Sequence, residues 1–67
     1  MRYAIIIEKA EGNLSGYVPD LPGCVTGETS EEVRRELAAA VRFHIEGLLE
    51  DGLPVPLPTS IVDFVDA

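Results

Sequence analysis

An α+β domain of order β-β-β-α-β is the fold this sequence predicts, and three observations predict it. A β-branched and aromatic run opens the chain, glycine and proline then cut it into short pieces, and a capped stripe of apolar residues at three- and four-residue spacing follows. The 67 residues allow one small domain, taken as residues 1–67, because cores shrink quickly with chain length.

Arg2 to Lys9 places Tyr3, Ile5 and Ile7 on one face and Ala4 and Ile6 on the other, which predicts a central strand buried on both sides. Glu11-Gly12-Asn13 is a turn signal, and Leu14 to Val18 returns as a second strand in a hairpin, with Gly16 its weak point. Pro19-Asp20-Leu21-Pro22-Gly23 interrupts pairing, since proline lacks an amide donor and glycine accepts positive φ. Cys24 to Glu28 supplies a third strand and completes an antiparallel meander.

Thr29 with Glu32 three residues later forms a capping box, and acidic residues fill the positive first turn of the helix that starts there. Val33, Leu37, Ala40, Val41, His44, Ile45, Leu48 and Leu49 make one apolar stripe, expected to lie across the sheet. Gly52 suits the position just past the helix end, and Pro54 to Pro58 runs extended as a rigid connector. Ile61 to Val65 is read as a final strand, returning beside the first and parallel to it if the crossover is right-handed.

Five basic against twelve acidic residues give a net charge of −7, which argues against nucleic-acid binding and for a basic protein partner. A chain this short buries too little surface to be comfortably stable alone, so a homodimer or higher homo-oligomer is expected. No stretch approaches the ~20 apolar residues of a membrane span, and the single Cys24 forms no internal disulfide, so the expectation is a cytoplasmic protein without membrane contact.

The segment Gly16-Tyr17-Val18-Pro19-Asp20-Leu21-Pro22-Gly23-Cys24-Val25-Thr26-Gly27-Glu28-Thr29 resembles the N-terminal domain of the HicB antitoxin family. The resemblance continues through Glu31-Glu32, Ala40, His44, Ile45, Glu46 and Leu48, and through Gly52 to Pro58. It implies a partial RNase H-like fold of the β-β-β-α-β kind and a partner of the HicA type, a small basic toxin that cleaves mRNA. Typical members also carry a C-terminal DNA-binding domain. This chain reaches Ala67 without one, so no direct DNA binding is expected.

An RNase H-like fold raises metal-dependent cleavage, but Glu8, Asp20, Glu31, Glu32, Glu36 and Asp63 fall on separate elements and predict no metal site. His44 falls on the apolar stripe as a packed residue, and Cys24, with no basic neighbour to lower its pKa, is expected as a small buried hydrophobe. Neither catalysis nor a cofactor is expected. Tyr17, Pro19, Asp20, Leu21, Pro22 and Gly23 are the expected partner-binding residues: a stiff loop presents Asp20 and Leu21 preordered, with Asp20 toward a basic surface. The function these readings point to is stoichiometric neutralisation of a toxin. The alternative is a stand-alone homo-oligomer with no toxin partner.

Overall fold

A computed structural model describes all residues from 1 to 67. Three strands come first, β1 (Ile6–Ala10), β2 (Asn13–Tyr17) and β3 (Cys24–Gly27), followed by one long helix, α1 (Ser30–Glu50). The sheet is antiparallel throughout, in the order β1-β2-β3, with Ile7 opposite Gly16 and Gly16 opposite Val25. The predicted α+β class and meander are therefore present, each strand starting or ending within a few residues of its expected limits.

Local chemistry explains the joints. Gly12 takes a φ of +81° in the tight connection that returns β1 to β2, a conformation glycine adopts without steric cost. The Thr29 hydroxyl accepts from the Glu32 N–H at 3.1 Å, as the capping box requires. At the far end Gly52, with φ +68°, donates to the Leu49 carbonyl and Leu53 donates to the Leu48 carbonyl. These two bonds form a Schellman motif and stop the helix where the sequence places its end.

The core lies between one sheet face and the first half of α1. Val18, Leu21, Val33 and Leu37 are buried, and Tyr3, Ile5, Ile7, Leu14, Val25 and Val41 pack against them. Gly16 lets the helix approach closely, because a Cβ there would stand 2.5 Å from Val33 Cγ1 and 2.9 Å from Leu37 Cδ1. The expected weak point of β2 is thus the place where helix and sheet touch.

The structure corrects the expected final strand, the placing of β1 and the coverage by the apolar stripe. No final strand forms: residues 53–67 have no regular structure, so β1 has a neighbour on one side only and is an edge strand, not a central one. It is also shorter than expected and only partly buried. The apolar stripe likewise covers the sheet only in part. A 21-residue helix is about 30 Å long, whereas a five-residue strand spans only about 17 Å. Val33 and Leu37 are buried, Val41, His44, Ile45 and Leu48 half-buried, and Ala40 and Leu49 exposed.

Candidate functional site

The loop between β2 and β3 folds inward at its middle and outward at its sides. The Leu21 N–H donates to the Val18 carbonyl at 3.1 Å, closing a turn that drops both side chains into the core. Gly23 then takes φ +95° to start β3. Tyr17, Pro19, Pro22 and Gly23 remain exposed, so they form the presented surface of this segment while Leu21 roots it.

Asp20 faces the chain's own last segment. Its carboxylate accepts from the Thr59 hydroxyl at 3.0 Å, from the Ser60 hydroxyl at 3.0 Å and from the Ser60 N–H at 3.2 Å. Partial burial pushes the Asp20 carboxyl up, and the hydrogen bonds from Ser60 and Thr59 outweigh it, leaving the carboxyl below its ordinary value. A second tie lies nearby, where the Tyr3 hydroxyl donates to the Pro56 carbonyl at 2.5 Å. Loop, chain start and proline-rich connector are thereby fastened together.

Beyond Ser60 the fastening ends. Ile61, Phe64 and Val65 are 92%, 86% and 95% exposed, an apolar series interrupted by Asp63 and followed by Asp66. From Pro54 onward no main-chain group is hydrogen-bonded to another main-chain group. Phe43 and Leu49 on the overhanging helix are exposed as well.

The other singled-out residues fall outside this arrangement. Cys24 is exposed, contrary to the buried role expected of it, because the sheet face opposite α1 carries no second layer. His44 lines a small cavity of about 100 Å³ with Pro22, Val41 and other residues of loop and helix. No group of three or more His, Cys, Asp and Glu side chains comes together as a metal site would need, and no helix is long and apolar enough to cross a membrane.

Sequence reading missed the clamp on Thr59 and Ser60, which only the fold brings to Asp20. It also missed a groove beside the chain start in which Arg2, Arg34 and Arg42 gather. The four- and eight-residue spacing of Arg34, Ala38 and Arg42 along α1 was the available signal for that groove.

Comparison with known proteins gives a consistent set of relatives. The family model described as HicB-like antitoxin of bacterial toxin-antitoxin system matches residues 3–67. An uncharacterized 14.9 kDa protein in the rep-hol intergenic region of Haemophilus phage HP1 is 39% identical over 98% of this chain, which spans half of that relative's length. The UPF0150 protein ssr1765 of Synechocystis is 34% identical, covering 90% of this chain and 78% of that one. No solved structure matches the chain.

Proposed function

The chain belongs to the HicB-like antitoxin family, and from that premise we propose that it is a non-catalytic, cytoplasmic module that binds and neutralises a small basic HicA-type mRNA-cleaving toxin. The family match over residues 3–67 carries the reading, since toxin-antitoxin pairs imply a toxin partner. The net charge of −7 supports it, because an acidic surface attracts a phosphate-binding protein and competes for the charges that protein uses on RNA. Within this reading Tyr17, Pro19, Asp20, Leu21, Pro22 and Gly23 are the contact segment. Tyr17, Pro19, Pro22 and Gly23 meet the partner, while Asp20 and Leu21 hold the loop in shape and keep the ordering cost of binding low. The module works as a homo-oligomer, as its largely exposed apolar side chains favour.

The test is co-purification of the tagged chain from its own host at low salt. A small basic protein that elutes as salt rises, cleaves RNA alone and loses that activity when the chain is added back in equimolar amount is the expected result. Tyr17→Lys, on the solvent side of β2, should then weaken binding at least tenfold through like-charge repulsion. Recovery of the chain with no such protein sinks the toxin reading, and unchanged affinity of the Tyr17 variant removes the loop from the contact.

A further inference from the structure

A groove of about 620 Å³ runs between the chain start and α1. Its floor is apolar, made of Tyr3, Ile5, Leu37, Val41 and Ile45, and it opens beside the lead-in to β1, whose outer side has no partner strand. Arg2, Arg34 and Arg42 line it against a single carboxylate, Glu46. Three of the chain's five basic residues thus gather here, in a molecule of net charge −7. Such a groove repels a basic partner and suits an extended, apolar and acidic segment.

The chain itself contains that segment. Ile61-Val62-Asp63-Phe64-Val65-Asp66 is rich in β-branched and aromatic residues, carries two carboxylates, and has no main-chain group bonded to another, the Phe64 N–H donating only to the Asp63 carboxylate. It does not line its own groove, and Asp20 fixes its root at Thr59 and Ser60. We infer that Ile61–Asp66 of one copy adds as a strand along the β1 edge of a second copy, with Val62 and Phe64 in the groove and Asp66, on the same strand face, toward Arg2, Arg34 and Arg42, the exchange being reciprocated. A reciprocal exchange closes as a two-fold dimer and fills, in trans, the place beside β1 that the sequence reading assigned to a final strand. The inference rests on the homo-oligomer of the proposed function and not on its toxin.

The experiment is light scattering of the full chain, alone and in mixtures. Wild type should have twice the 7.2 kDa chain mass. Phe64→Asp in the tail and Ala38→Glu in the groove both alter exposed side chains, so each should retain helical circular dichroism and fall to half the wild-type mass. Mixing the two variants should restore the dimer, because the mixed pair keeps one intact tail and one intact groove. A monomeric wild type overturns the homo-oligomer and the exchange together. A dimer that survives Phe64→Asp overturns the exchange alone, as does a mixture that stays monomeric. Toxin binding by any of these species bears only on the other reading, which keeps the two failures apart.

Discussion

Asp20 owes its lowered pKa to hydrogen bonds that exist only in the folded chain, so protonation and release of the tail are linked. With the folded value below the unfolded one, the clamp contributes in full above the ordinary carboxylate pKa of about 3.9 and is lost as pH falls through the folded value. The protection of the Ser60 amide, relative to its intrinsic exchange at the same pH, should fall over that acidic window, and Asp20→Asn should lack it at neutral pH; a Ser60 amide as protected in the variant as in wild type would refute the clamp. Gly16 offers a sharper steric test. Adding a methyl group displaces the buried Val33 and Leu37, so Gly16→Ala should cost about 1–3 kcal/mol in chemical denaturation. Composition and turn chemistry made Pro19 to Gly23 visible as a shaped loop. They did not show that Leu21 points into the core or that Asp20 reaches Ser60, because that hydrogen bond joins residues 40 positions apart.

Helix α1 was the most legible element, since its start and stop are written in short-range chemistry: Thr29 and Glu32 at one end, Gly52 at the other. Thr29→Ala should lower stability by about 1 kcal/mol through loss of the cap. Gly47 gives the opposite sign. A Cβ there meets nothing within 4 Å, so Gly47→Ala should raise thermal stability by about 0.5–1 kcal/mol, helix propensity being the only change. The expected final strand rests on the β-branched and aromatic residues of Ile61 to Val65, which report strand propensity but not whether a sheet edge receives it. The depth of the stripe was misjudged for a related reason: periodicity gives a helix face, while coverage depends on the length of the strands beneath it.

At the scale of the molecule, five buried residues out of 67 leave a core too small for much independent stability. In the proposed dimer self-association adds to the folding free energy, and the melting temperature should climb steadily with protein concentration; a midpoint constant over a hundredfold range would contradict this. The sheet order has a consequence in time. β1, β2 and β3 lie in the order in which they occur, and α1 packs on β2 and β3, the strands just before it. Folding of residues 6–50 takes place within one chain and is therefore a first-order event. In the proposed exchange the trailing segment must then find another molecule, a second-order encounter whose rate scales with concentration, so refolding should separate into a unimolecular phase and a slower bimolecular one.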